Sequence, residues 1–164
     1  MTMTTAAIAQ WIASLDDTEL AERASAESAL IAAGADAHAA LIDASHSPTT
    51  ETRWRAASAL GDSGATEAID RLIALLTDPT WDVRSSAAYS LGMLADARGF
   101  DALNRAAFHT APDEQTPYVA ALGLLRIDRA RARPILDAAL THADEPIRRT
   151  AMSALAVDRW RGDA

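Results

Sequence analysis

The side chains that could do chemistry are spread along the chain and form no familiar catalytic pattern. His38 and His46 fall in one segment of the sequence, and His109 and His142 fall in two later segments. If those segments stack one after another, the histidines of different segments lie too far apart to share a metal ion. The sequence also has no phosphate-binding glycine loop, no nucleophile elbow and no metal-binding histidine pair. We therefore expect a protein that is not an enzyme and holds neither metal nor cofactor.

Aromatic and arginine side chains are stronger candidates, because these residue types dominate binding hot spots. Several of these side chains, and serines next to them, lie opposite the apolar stripe of a predicted helix when 100° is allowed per residue. Ser85 and Tyr89, for example, lie opposite Val83. We expect them to face a protein partner. For Trp54 the alternative is that the indole packs on a neighbouring helix and fills gaps between alanines. The predicted binding residues are Trp54, Arg55, Ser58, Ser85, Tyr89 and Arg149.

A second candidate site is a basic cluster formed by Arg126, Arg129, Arg131 and Arg133. Guanidinium groups at this density can bind an acidic partner or a phosphate. The alternative is that they are solvated or paired with nearby carboxylates.

Composition and charge exclude several classes of function. The chain has no cysteine, so disulfides and thiolate metal sites are absent. Its net charge of −8 argues against a nucleic-acid partner.

The charge is also distributed unevenly along the chain. Residues 1–82 hold 13 acids and 4 arginines, whereas residues 83–164 hold 10 acids and 11 arginines. An elongated molecule with this distribution is electrically polarised from end to end. No apolar run is long enough to span a bilayer, and we expect a cytoplasmic protein without a membrane partner.

An internal repeat predicts the fold. Arg84–Gly92 matches Arg53–Gly61 at an offset of 31 residues, and the same step forward reaches Leu122–Gly123. The pattern also recurs at Arg23–Leu30 and at Arg148–Leu155. A fixed period of this length is typical of stacked helical hairpins.

Each repeat unit divides into two amphipathic helices separated by a turn, which predicts ten helices in five antiparallel pairs. A single hairpin cannot bury its apolar face, so stacking must stabilise the chain as one domain. Gly61, Gly92 and Gly123 share one phase and are expected either to let neighbouring helices touch or to ease the helix exit. A two-residue insertion is expected around Arg129–Arg133. The predicted units are about 5–33, 35–63, 66–95, 97–127 and 130–160. The positions that match Ser85 and Tyr89 are Thr116 and Ala120 in the fourth unit and Arg149 and Ser153 in the fifth.

The third unit carries a recognisable pattern, Asp78-Pro79, Val83-Arg84, Ala87-Ala88 and Leu91-Gly92. It resembles the HEAT-repeat consensus, specifically the short variety of the phycobilisome-lyase-like group. The resemblance implies a right-handed α-α superhelix whose second helices line a concave binding face. It also implies a ladder of aspartate–arginine pairs between units, for which Asp78 and Arg84 have the required spacing.

The resemblance leaves two functions open. The first is a non-catalytic scaffold or adaptor that binds a protein partner on the concave face, as a monomer. The alternative is a bilin or tetrapyrrole lyase, or a chaperone-like factor of that type. A helical-repeat DNA glycosylase is a third possibility, which the acidic charge disfavours.

Overall fold

The computed structural model describes residues 3–110, 113 and 115–162, without the side chains of 109, 110, 161 and 162. These residues form ten α-helices and no strand. Short 3₁₀ turns precede several helices, and a π-helical turn at Ala106–Thr110 follows the seventh. The helices are α1 Thr5–Ala13, α2 Leu20–Ala33, α3 Ala35–Ala44, α4 Thr50–Asp62, α5 Ile69–Leu75, α6 Trp81–Leu94, α7 Phe100–Arg105, α8 Gln115–Ile127, α9 Arg129–Ala139 and α10 Glu145–Gly162.

Successive helices pair into hairpins, and each hairpin packs on the next. We number the hairpins one to five, from α1–α2 to α9–α10. The second helices α2, α4, α6 and α8 each contact the second helix of the next hairpin, up to α10. The expected fold class, an all-α solenoid of helical hairpins, is confirmed. None of the described helices is both long and apolar enough to cross a membrane.

The core is a double row of leucines between the two layers of helices. One row belongs to the first helices and comprises Leu41, Leu72, Leu103 and Leu136, all with no exposed surface. The other belongs to the second helices and comprises Leu30, Leu60, Leu91, Leu124 and Leu155, all at most 1% exposed. Alanines fill the space between these rows, which lets the helices approach closely. Each hairpin thereby buries the apolar face of its neighbour.

Glycines set the closest helix contacts in the middle of the stack. A Cβ added at Gly61 would lie 2.5 Å from the Ser90 hydroxyl oxygen on the next second helix. A Cβ added at Gly92 would lie 2.8 Å from the Cα of Gly123. Both distances are well below van der Waals contact, so these positions admit only glycine at this separation. Of the two expected roles, close helix approach is the one observed.

The repeat register in hairpin four differs from the prediction. The buried positions of α7 and the residues after it, Phe100 to Ala107, follow those of α5 at an offset of 31. In α8, however, the buried positions Thr116, Ala120 and Leu124 follow Val83, Ala87 and Leu91 at an offset of 33. The two extra residues therefore lie between α7 and α8, at the π-helical turn and the segment after it. The expectation of an insertion around Arg129–Arg133 is wrong.

A repeated arginine joins each of four second helices to the loop before it. The Nη1 group donates hydrogen bonds to the backbone carbonyls six and five residues earlier, as Arg84 does to Asp78 at 2.7 Å and Pro79 at 3.0 Å. Because the same two hydrogen bonds recur in all four hairpins, the loop is held in the same way at the start of each of these helices. The four arginines are Arg23, Arg53, Arg84 and Arg148.

Three of these arginines also form ion pairs with the next hairpin, the first of them between Arg23 and Glu51 at 3.8 Å. Arg53 bonds Asp78 at 2.9 Å, and Arg84 bonds Asp113 at 2.5 Å. The ladder stops at hairpin four, where Pro117 occupies the arginine position. Burial opposes ionisation of Asp78 and Asp113, but hydrogen bonds from arginine and threonine outweigh it and hold the pKa of both carboxyls below the ordinary value.

Candidate functional site

The second helices present one continuous solvent-facing surface along the stack. The corrected register places four equivalent positions on each helix, spaced three, four and four residues apart, and none of them is buried in any hairpin. We call this surface the second-helix face. Its residues in hairpins two to five are Glu51, Trp54, Ser58 and Asp62, then Asp82, Ser85, Tyr89 and Met93, then Gln115, Tyr118, Leu122 and Arg126, then Pro146, Arg149, Ser153 and Val157.

In hairpin two, the predicted residues are partly occupied by contacts within the protein. The Trp54 indole is half buried against the core, and its N–H donates to Glu51 at 2.9 Å. Arg55 is only 8% exposed and is paired with Glu27 at 2.9 Å and Glu51 at 2.7 Å. Its guanidinium also lies 4.2 Å from the centre of the Trp54 ring. Arg55 therefore points toward hairpin one and orders Trp54, so it does not belong to the second-helix face.

In hairpin three, Tyr89 is 40% exposed, and its hydroxyl donates to Asp62 at 3.3 Å. Partial burial, and then the Asp62 carboxylate, raise the pKa of the Tyr89 hydroxyl above its ordinary value. The ring is thus available to a partner while its position is fixed from hairpin two. Ser58 and Ser85 are half buried beside the aromatic side chains.

The second-helix face opens into a groove between α8 and α10, with a volume of about 730 Å³. Pockets of this size bind small molecules and side-chain anchors. α10 packs less closely on α8 than α8 packs on α6. The groove lies in this looser interface, between the N-terminal parts of α8 and α10. Hairpin four also carries Leu125 where hairpins two and three carry Gly61 and Gly92.

The groove combines apolar walls with a few polar groups. Phe108, Pro117 and Ile147 supply apolar surface, and Thr150 lies at the base, only 8% exposed. Five face positions line its mouth, and they supply an aromatic ring, a guanidinium and a hydroxyl. These five residues are Gln115, Tyr118, Pro146, Arg149 and Ser153.

Two of the lining residues, Arg149 and Ser153, sit where the sequence places them, whereas Tyr118 does not. With the offset of 31, Thr116 and Ala120 would be the exposed positions of hairpin four. Both have no exposed surface, so that expectation is wrong. The offset of 33 replaces them with Tyr118 and Leu122. The Ala120-Ala121 pair, which matches Ala87-Ala88 at an offset of 33, is the signal that would have given this register from sequence.

The predicted basic cluster is divided between two surfaces. Arg129 pairs with Asp158 at 2.9 Å, and Arg131 pairs with Asp101 at 2.6 Å. Arg133 binds both Asp137 at 3.2 Å and Asp158 at 3.3 Å. Arg131 also covers the Phe100 ring at 3.9 Å. These three arginines thus tie α9 to its neighbours, as the alternative interpretation expected.

Arg126 differs from the other three because it lies on the second-helix face. It is exposed and has no carboxylate partner among the described residues. Its charge acts on Tyr89 of the preceding hairpin and lowers the pKa of that hydroxyl, against the stronger effects of burial and Asp62.

The histidines are dispersed. His38 is buried at the core position held by Ile69 and Phe100 in the next two hairpins, and its ring nitrogens face Glu67 at 2.6 Å and the Ser63 carbonyl at 3.3 Å. His46 and His142 are exposed, and the side chain of His109 lies outside the described residues. The described residues contain no group of three or more His, Asp or Glu side chains that could hold a metal ion.

Comparison with known proteins agrees with this architecture. The family model for HEAT repeats matches residues 38–113, which include the ladder of hairpins two to four. Residues 38–113 are thus HEAT repeats. The structure is also similar to a chain in the complex of CpcE and CpcF of phycocyanin lyase from Nostoc sp. PCC7120. That match has 28% identity and a TM-score of 0.64, so the expected resemblance to lyase-type HEAT repeats is confirmed.

The similarity covers 94% of this chain but only 65% of the lyase chain. Two artificial proteins show the fold alone. An engineered protein is 22% identical with a TM-score of 0.54 over 91% of this chain and 78% of its own. A designed armadillo repeat protein is 18% identical with a TM-score of 0.52 over 91% and 81% of the two chains. No curated protein sequence matches the chain.

Proposed function

We propose that this protein binds a segment of a partner protein on the second-helix face, with the groove between α8 and α10 as its anchoring site. One observation carries the proposal: the single loose interface in the tight row α4, α6, α8 and α10 opens onto the face where aromatic and arginine side chains already converge. The proposed function is binding without catalysis. The partner is held because one of its own side chains is buried in the groove.

The aromatic side chains support this use of the face. Trp54, Tyr89 and Tyr118 contribute one ring from each of hairpins two, three and four, and none of the three is fully buried. Hydrogen bonds to Glu51 and Asp62 hold the first two rings in place before a partner arrives. A preordered aromatic side chain loses little conformational entropy on binding, which is why such residues act as hot spots.

Blocking the groove without disturbing the core tests the proposal. Peptides are first selected from a displayed library of random nonapeptides on the wild-type protein, and their affinities are measured by biolayer interferometry. Ser153→Trp places an indole at the mouth of the groove and should weaken binding at least tenfold. Met152→Trp is the matched control, because Met152 is the adjacent residue, is 57% exposed and does not line the groove. Equal affinities for the two variants would refute the proposal.

A second candidate is a lyase-type factor that holds a bilin or another tetrapyrrole. The similarity to a phycocyanin lyase chain favours it as much as it favours a scaffold. In this case Tyr118 and Phe108 would cover the rings and Arg149 would bind a carboxylate of the pigment. The test is titration with an open-chain tetrapyrrole, alone and with a partner subunit. A visible absorbance change that Ser153→Trp abolishes would support this candidate, and an unchanged spectrum would exclude it.

The remaining expectations about the protein's setting belong to the same proposal. A cytoplasmic location and a monomeric state agree with a module that meets its partner in solution. Size-exclusion chromatography with light scattering measures the oligomeric state, and a stable dimer would contradict the second expectation.

A further inference from the structure

Thr150 at the base of the groove carries a hydroxyl group that the fold leaves unused. The residue is only 8% exposed, and its hydroxyl has no hydrogen-bond partner among the described residues. By contrast, the hydroxyl of Thr116 donates to Asp113 at 2.9 Å, and that of Thr77 donates to the Ala74 carbonyl at 3.0 Å. An unpaired hydroxyl on so buried a side chain is uncommon in folded proteins and needs a physical reason.

Helix register directs the Thr150 side chain into the groove. Thr150 has the same place on α10 that Arg55 has on α4. Arg55 extends to the preceding hairpin, where it pairs with Glu27 at 2.9 Å. The Thr150 side chain therefore extends toward α8, which forms the opposite wall of the groove. A partner side chain that fills the groove meets the Thr150 hydroxyl at its far end.

The walls of the groove suit a flat apolar ring. Phe108 and Tyr118 contribute aromatic rings, and Pro117 and Pro146 contribute proline rings from the first turns of α8 and α10. Aromatic side chains pack favourably on one another in offset or edge-to-face arrangements, and burial of a ring removes a large apolar area from water. The groove thus favours an anchor with an aromatic body.

The charged groups of the groove disfavour an ionised tip on that anchor. Asp113 already accepts hydrogen bonds from Arg84, and Asp144 is exposed to solvent. Arg149 is paired with Glu145 at 4.0 Å. An anionic tip would lie near two carboxylates, whereas a cationic tip at the base would be buried beside a neutral hydroxyl. A neutral tip that can form a hydrogen bond is the one that fits.

We infer that the anchor is a tyrosine of the partner, whose ring fills the groove and whose hydroxyl forms a hydrogen bond with that of Thr150. The inference rests on the proposed function and names the side chain that the groove selects. A phenol both donates and accepts, as a threonine hydroxyl does, so the hydrogen bond can form in either direction. A phenylalanine would expel water from the groove and leave the Thr150 hydroxyl unpaired, which is costly for a buried polar group. Thr150 is therefore a specificity-determining residue.

A double-mutant cycle between peptide and protein provides the test. A tyrosine-containing peptide selected from the random nonapeptide library is compared with the same peptide carrying phenylalanine in place of that tyrosine, by biolayer interferometry. The wild-type protein should bind the tyrosine peptide about tenfold more tightly, because one buried hydrogen bond distinguishes the two complexes. Thr150→Val replaces the hydroxyl by a methyl group and keeps the shape of the side chain. It should make the two affinities equal.

Two further variants separate the loss of this hydroxyl from other effects of substitution. Thr150→Ser keeps the hydroxyl and should retain the preference for tyrosine. Thr77→Val makes the same exchange of atoms at an exposed position that does not line the groove, and it should also retain the preference.

The outcomes distinguish this inference from the proposed function. Peptides that depend on the groove, as judged by Ser153→Trp, but lack tyrosine or bind equally well with phenylalanine would overturn the inference alone. A preference for tyrosine that persists in Thr150→Val would do the same, since another group would then bind the phenol. Peptides insensitive to Ser153→Trp would overturn both.

Discussion

Gly92→Ala is the substitution that most sharply distinguishes tight helix stacking from ordinary helix propensity. Gly92 lies within α6, and an alanine there would have its Cβ 2.8 Å from the Cα of Gly123 on α8. The obstructing atom belongs to the backbone, so no side-chain rotation can relieve the contact. The two helices must separate, and the packing of Leu91 and Leu124 between them must loosen.

The magnitude follows from two opposing effects. In an exposed helix, replacing glycine by alanine stabilises the protein by about 1 kcal/mol. Carbon atoms pack at about 3.5–4.0 Å, so the added methyl group overlaps its neighbour by about 0.7 Å or more. Overpacking of this kind costs about 1–3 kcal/mol, and with backbone on both sides we expect the upper part of that range. The net loss is then about 1–2 kcal/mol, which lowers Tm by about 4 °C in a chain of this size.

Thermal unfolding followed by circular dichroism at 222 nm measures this loss. Ala156→Gly is the matched control, because Ala156 is exposed at the equivalent position of α10. It should lower the free energy of unfolding by about 1 kcal/mol through helix propensity alone. Opposite substitutions at equivalent positions should thus both destabilise the protein. A rise in Tm for Gly92→Ala would refute the close approach of α6 and α8.

Three further outcomes are expected. Asp78 and Asp113 have a lowered pKa in the folded protein. Their contribution to stability is therefore complete above the unfolded aspartate pKa of about 4 and is lost as the pH falls through the folded values. Urea unfolding between pH 5 and pH 2 should show a decline in the free energy of unfolding that Asp78→Asn reduces. Arg84→Ala should lower the free energy of unfolding by about 3 kcal/mol because it leaves Asp113 unpaired, whereas Arg98→Ala, at an exposed pair, should leave the urea midpoint unchanged. A single cysteine at Tyr118 should react with maleimide in the native protein and one at Thr116 should not; the reverse order would restore the offset of 31 in hairpin four.

The sequence predicts the fold well because the residues that recur at a regular interval are the buried ones. Leucines and alanines recur every 31 residues, and each recurrence marks a position that must be buried against the next hairpin. The repeated Arg53 and Arg84 add a second signal, since both bind the loop before their helix. These features depend on local geometry that is the same in every hairpin, so a comparison of the chain with itself reveals them.

The register error in hairpin four has a physical cause. Matching Leu122-Gly123 to Leu91-Gly92 aligns two glycines that meet across one interface but occupy positions two residues apart in the repeat. Gly123 stands where hairpin three has Ser90, and both are small because a helix lies against them. Sequence identity alone cannot distinguish the two sides of a contact, since both sides require a small residue.

The candidate site was harder to predict than the fold because it arises where the repeat is broken. The groove lies beside α8, where two residues are added before the helix, and this addition has no counterpart in hairpins two, three and five. Helical phase places Arg55 on the binding surface, but it cannot show that Glu27 and Glu51 already bind this side chain. Ion pairs between hairpins depend on side-chain reach, which a periodic pattern does not encode.

Thiol protection on the second-helix face tests the central claim most directly. The chain contains no cysteine, so a single cysteine at Ser153 reports on the groove and one at the exposed Ala130 on α9 reports on the opposite layer of helices. Both are labelled with maleimide in the presence and absence of a saturating selected peptide. We expect the peptide to slow labelling at position 153 at least tenfold and to leave position 130 unchanged. Protection at position 130 with none at position 153 would contradict the assignment of this face as the binding surface.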